Sequence, residues 1–129
     1  LTAGLHWIRL VTPTTDHKRL TSVLQNTSGF VYYVSITGIT GTHSADPETV
    51  KRAITQLREM TDLPLAVGFG IKSSEQVHTV NEFAEAAVVG SALVNKIRAN
   101  LDDSGQPKAE LCDNVIEFVQ DLASGTVRT

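Results

Sequence analysis

Two short segments of this chain carry residue types suited to holding an anion. Ala66-Val67-Gly68-Phe69-Gly70-Ile71-Lys72-Ser73 and Ala87-Val88-Val89-Gly90-Ser91-Ala92-Leu93 each pass from apolar, largely β-branched positions into glycine and then into a small hydroxyl residue. That order describes a strand, a tight turn and a helix start, made twice. Helix starts present backbone N–H groups and the positive end of the helix dipole, so two such turns side by side suit a phosphate group. The chemistry expected is recognition of a small phosphorylated molecule; the plainer alternative is a pair of strand-to-helix turns that need glycine for their own geometry.

Few other side chains invite a chemical role. His43 and Asp46 are spaced for an acid/base pair, but Asp46 precedes Pro47 and Glu48 and reads better as a helix cap. His6, His17 and His78 have no metal-ligand spacing, and the adjacent Asp102 and Asp103 fit a solvated turn. Cys112 is the only cysteine, which excludes an intrachain disulfide and a cysteine-built zinc site. No metal site is expected.

The elements that must position the two turns follow from periodicity and punctuation. Trp7–Thr12 reads as a short strand ended by Pro13, followed by a helix capped by Asp16 or Thr15, with Leu20, Val23 and Leu24 on one face and a stop near Gly29. Phe30–Ser35 is the strongest strand signal, and it enters a glycine-rich loop over 36–45. Asp46 then opens a helix with Val50, Ala53, Ile54 and Leu57 at helical spacing. Pro64–Phe69 is a third strand, and Ser73-Ser74-Glu75-Gln76 a capping box before inward-facing Val77 and Val80. Ala86–Val89 is a fourth strand, with a short helix bearing Leu93, Val94 and Ile97 after it. Pro107 is expected to start a final helix striped with Leu111, Val115, Phe118, Val119 and Leu122, and the tail from Gly125 is expected to fray.

Four strands, each followed by a helix, call for parallel pairing with right-handed crossovers. Such a chain makes a small open sheet or half of an eight-unit barrel. Short strands, glycine at their C-terminal ends and an extra short helix before the last long one favour the half barrel. In eight-stranded barrels the phosphate site lies in the loops after the last two strands, which are the places these glycine turns occupy. The fold class expected is therefore α/β: half of a TIM (β/α)8 barrel with four parallel β/α units. A dinucleotide fold fits less well, since Gly68-Phe69-Gly70 lacks the third glycine.

At 129 residues, 41% hydrophobic and 19% charged, the chain reads as a single domain over 1–129. Eleven basic against fourteen acidic residues, a net charge of −3, argue against nucleic acid or an anionic membrane as partner. There is no apolar run long enough to span a bilayer and no signal-peptide pattern in Leu1-Thr2-Ala3-Gly4, so a cytoplasmic location is expected. The first residue is Leu1, and the expectation drawn from it is a piece of a longer protein.

Three stretches together resemble one family. Phe30-Val31-Tyr32-Tyr33-Val34-Ser35-Ile36-Thr37-Gly38-Ile39-Thr40-Gly41, Leu65-Ala66-Val67-Gly68-Phe69-Gly70-Ile71 and Val88-Val89-Gly90-Ser91-Ala92-Leu93-Val94 are similar to the C-terminal half of the tryptophan synthase alpha subunit. The likeness runs over essentially the whole chain and corresponds to strands five to eight of that family's barrel. It implies a lyase that cleaves indole-3-glycerol phosphate to indole and glyceraldehyde 3-phosphate by a retro-aldol reaction. It also implies no cofactor in this chain, and a beta subunit partner carrying pyridoxal phosphate in an alpha2beta2 complex.

By matching motif, Gly41, Gly70, Gly90 and Ser91 are implied to hold the substrate phosphate, Tyr32 and Phe69 to line the pocket, and Thr40 to latch a mobile loop. One departure stands out: Ile36 occupies a position where many members carry arginine. The glutamate and aspartate that perform proton transfer in the family come from the N-terminal half, and neither motif is present here. No catalytic residue is therefore assigned to this chain, and alone it is expected to be inactive. Two other readings remain: another phosphate-binding barrel such as a phosphoribosyl isomerase, and a non-catalytic half-barrel scaffold that self-associates. Either the missing N-terminal half barrel or a second copy is the partner expected to complete the sheet.

Overall fold

The computed structural model describes residues 3–35 and 46–126. Within them, strand β1 (Arg9–Val11) is followed by helix α1 (His17–Leu24), β2 (Val31–Val34) by α2 (Pro47–Arg58), and β3 (Leu65–Gly68) by α3 (Ser74–Asn81). β4 (Ala86–Ala87) leads to α4 (Ser91–Ala99) and α5 (Leu111–Ser124). The four strands form one sheet in the order β1-β2-β3-β4, all parallel, with Leu10, Tyr32, Ala66 and Ala86 in register across it. This is the α/β half-barrel arrangement expected from the sequence.

Local chemistry starts the helices. Asp16 Oδ1 accepts from the Arg19 N–H at 2.8 Å, Asp46 from the N–H and hydroxyl of Thr49, and Ser73 Oγ from the Gln76 N–H at 3.3 Å. Each satisfies a first-turn donor that the helix cannot pair internally. Gln76 completes its box by accepting from the Lys72 N–H at 2.9 Å. The Thr49 hydroxyl is the main reason the Asp46 carboxyl sits below its ordinary range, which settles that residue as a cap.

Alternation along the strands divides the sheet into two faces. Val11, Val31, Tyr33, Leu65 and Val67 point to the face covered by helices, where they join Leu20, Val50, Ile54, Leu57, Val77, Val80 and Leu122 in one buried cluster. Burial there pushes the Tyr33 phenol up from its ordinary value. Each fully buried aliphatic side chain contributes about 1.5–3 kcal/mol, so this cluster is the main source of cohesion. Leu10, Tyr32, Ala66 and Gly68 occupy the opposite face.

The sheet is braced at its N-terminal end by Glu85, just before β4. Its carboxylate accepts from Arg58 Nη2 at 2.7 and 2.8 Å and from the Leu65 N–H at 2.7 Å, joining the end of α2 to the start of β3. Partial burial opposes the charge, but these hydrogen bonds outweigh it and hold the Glu85 carboxyl below its ordinary value.

Several boundaries differ from the sequence reading. The strands are shorter, since ladder pairing ends where the neighbouring strand ends. Pro107 does not start the last helix: it bridges back to Leu101, while Asp102 accepts from the N–H groups of Ser104 and Gln106, so the turn consumes the residues before Leu111. Gly125 does not fray. Its carbonyl accepts from Asn81 Nδ2 at 3.3 Å, and a Cβ placed there would lie 3.0 Å from Val77 Cβ and against the Ser74 carbonyl oxygen, so only glycine fits this crossing of α5 over α3. Val94 and Ile97, on the short helix α4, are 62% and 38% exposed.

Candidate phosphate site

Parallel strands place all their C-terminal ends at one edge of the sheet. The segment after β3 and the segment after β4 are therefore neighbours, linked by the pairing of Val67 with Ala87 and by the Val88 N–H to the Val67 carbonyl at 2.8 Å. β2 ends on the same side, where the Ser35 N–H donates to the Gly68 carbonyl at 3.0 Å. The two glycine turns singled out by sequence thus meet at a common rim.

The glycines differ in what the fold asks of them. Gly70 has φ +81°, a left-handed conformation that favours glycine, and is the true turn residue. Gly68 is instead the last residue of β3, and a Cβ there would lie 2.7 Å from Tyr32 Oη and 3.0 Å from Tyr32 Cε2. Its missing side chain makes the seat for the Tyr32 ring. Gly90 has φ −120°, and nothing lies within 4 Å of where its Cβ would be. Neither packing nor a positive φ explains glycine at this position; open space in front of a helix start does.

That helix start is electrostatically unfilled. α1, α2 and α3 each carry a side-chain cap, whereas α4 and α5 have none; of these two, α5 has Asp113 in its first turn and α4 has no acidic residue there. The exposed Ser91 hydroxyl stands at the same place. The basic residues of α4, Lys96 and Arg98, fall in its last turn, where they complement the negative end. An anion at Gly90 and Ser91 would supply the acceptor that the cap lacks.

Of the residues assigned from the sequence, Gly70, Gly90 and Ser91 lie on this rim, all exposed. Tyr32 lies on the sheet face away from the helices, partly exposed, with its ring over Gly68. Phe69 is 6% exposed and belongs to the buried cluster, which leaves little of its ring available to a ligand. Thr40 and Gly41, as well as Ile36 and His43, lie outside the described residues. Among the described residues no group of three or more His, Cys, Asp and Glu side chains is placed to hold a metal ion, and no helix is long and apolar enough to cross a membrane.

Gly68 as a side-chain seat and Glu85 as a brace were not apparent from the sequence. Both act across strands, Glu85 toward a residue twenty positions away, and no local pattern marks such pairs.

The family described as tryptophan synthase alpha chain matches residues 1–124. Among solved structures, tryptophan synthase subunit alpha from Legionella pneumophila str. Paris is 30% identical with a TM-score of 0.77, covering 97% of this chain and 44% of that one. The Mycobacterium tuberculosis tryptophan synthase in space group F222 is 30% identical with a TM-score of 0.76, covering 97% and 43%. A second M. tuberculosis structure, an open form with BRD0059 bound, is 25% identical with a TM-score of 0.73, covering 95% and 41%. The chain thus spans well under half the length of these relatives.

Proposed function

The chain belongs to the tryptophan synthase alpha chain family, a lyase family, and we propose that it supplies that enzyme's phosphate-holding half, the part built from strands five to eight of the barrel. In this reading the ligand is indole-3-glycerol phosphate. Backbone N–H groups at Gly70, Gly90 and Ser91 take the phosphate, with Gly41 on the neighbouring loop. Tyr32 lines the pocket toward the indole ring, with Phe69 behind it, and Thr40 closes the loop over the site. The observation that carries the reading is Gly90, a glycine with neither a positive φ nor a packing neighbour, set before an uncapped helix on the rim shared with the Gly70 turn.

Retro-aldol cleavage needs proton transfers at the indole ring and at the glycerol hydroxyl. In this reading the chain anchors the substrate, and the glutamate and aspartate that move these protons belong to the N-terminal half of the family's barrel. Product indole would pass to the pyridoxal-phosphate-dependent beta subunit in an alpha2beta2 assembly. The reading places the activity in the cytoplasm, where that biosynthesis operates.

Calorimetric titration with indole-3-glycerol phosphate tests it. Binding is expected, and Gly90→Leu should weaken it at least tenfold without lowering the melting temperature, because the new side chain enters open space. Equal binding by the variant would overturn the phosphate assignment. Release of indole by the unmodified chain would overturn the claim of inactivity.

A further inference from the structure

The groups assigned to the phosphate carry no full charge. Backbone N–H groups and the Ser91 hydroxyl only donate hydrogen bonds, and the start of α4 adds about half a positive charge, against about 1.5–2 negative charges on a phosphate ester. Lys72 stands two residues beyond Gly70, and no other Lys or Arg occurs in 69–75 or 88–95. Its neighbours hold the backbone in place. Ile71 is 1% exposed in the buried cluster, the Lys72 N–H donates to Gln76 Oε1 at 2.9 Å, and Ser73 caps α3. The Lys72 side chain is exposed, and among the described residues no carboxylate pairs with it, the ion pair there being Arg58 with Glu85.

Two peptide units keep the Cα atoms of Gly70 and Lys72 within about 7.6 Å, and an extended lysine stem carries its ammonium roughly 6 Å from Cα. An anion on the Gly70 N–H is therefore within the sweep of Lys72. The start of α3 is already filled by the Ser73 hydroxyl and by Glu75 in its first turn, which leaves the unfilled start of α4 as the place for the charge.

We propose that Lys72 is a further binding residue for the phosphate ester, the one that gives this site a full positive charge. The inference rests on the phosphate reading above and adds to it a residue outside the glycine turns. The glycine turns fix the anion by directed hydrogen bonds. Lys72 acts differently, as a compact charge on a flexible stem that closes over the anion from the solvent side. Because the side chain is exposed, water and salt screen the pair, so its effect is on affinity and falls as salt rises.

Calorimetric titration of the full chain with indole-3-glycerol phosphate, at about 0.01 M and about 0.5 M salt, tests it. Lys72→Met keeps most of the stem and loses the charge; it should weaken binding about three- to tenfold at low salt, with the gap to the parent narrowing at high salt. Lys72→Arg should bind within about twofold of the parent, since it restores the charge. Both variants should melt with the parent. Equal binding by Lys72→Met, a loss that is the same at both salt concentrations, or a failure of Lys72→Arg to restore affinity would overturn the inference and leave the glycine site standing. A parent chain that does not bind the ester, or a Gly90→Leu variant that binds as the parent does, would overturn the phosphate reading and this inference with it.

Discussion

Replacing Gly68 with alanine tests the seat beneath Tyr32. The added Cβ would lie 2.7 Å from Tyr32 Oη, 3.0 Å from Cε2 and 3.3 Å from Cζ, against an optimum of about 3.5–4.0 Å for carbon contacts. The ring must move by roughly half an ångström to one ångström, and overpacking of this kind costs about 1–3 kcal/mol. The ring tip can pivot, which favours the lower half of that range. Tyr32→Leu removes all three crowded atoms, so Gly68→Ala on that background should cost about 1 kcal/mol less than in the parent. Urea unfolding of the four proteins at one fixed concentration gives the coupling from their midpoints, provided the slopes agree. Costs that add to within about 0.3–0.5 kcal/mol, or a neutral Gly68→Ala, would refute the seat.

Glu85→Gln should destabilise by about 1 kcal/mol, a modest figure because Glu85 is 46% exposed and solvent screens its pair with Arg58. Its folded carboxyl titrates below the ordinary 4.5, so the stabilisation is full above that value and fades as pH falls through the folded value. The gap between parent and variant, measured by urea unfolding, should therefore shrink on acidification; a gap that widens contradicts the assignment. Gly125→Ala should cost about 1–3 kcal/mol, since the new Cβ meets the Ser74 backbone carbonyl, which cannot swing aside; thermal denaturation checks this, and an unchanged melting temperature would show that α5 is free to shift.

What could be read from the sequence was what local chemistry decides. Asp16, Asp46 and Ser73 cap helices because a short oxygen-bearing side chain reaches a donor three residues ahead, and the inward faces at Val50, Ile54, Leu57, Val77 and Val80 follow from helical period. The parallel order of strands followed from their alternation with helices. The family likeness rested on the glycine turns and the stretch from Tyr32 to Gly41, of which residues 36–41 lie outside the described residues. Properties that arise between distant segments were not visible. The functions of Gly68 and Gly90 separate only when a Cβ is built at each, one meeting a ring and the other empty space. Phe69 was implied by the family resemblance to line the pocket, and the fold draws it into the buried cluster. Val94 and Ile97 lie at helical spacing yet are exposed among the described residues.

The crossing of α5 over α3 also has a bearing on synthesis. A chain emerges from its N-terminus, so β3 and α3 are complete well before Gly125 reaches Ser74 and Leu122 enters the buried cluster. Val77 and Val80 wait for a cover encoded some forty residues later. A stop codon or a proteolytic cut that removes the last part of α5 would strip the roof from the middle of the sheet, and the damage would reach the glycine rim without altering a single residue there.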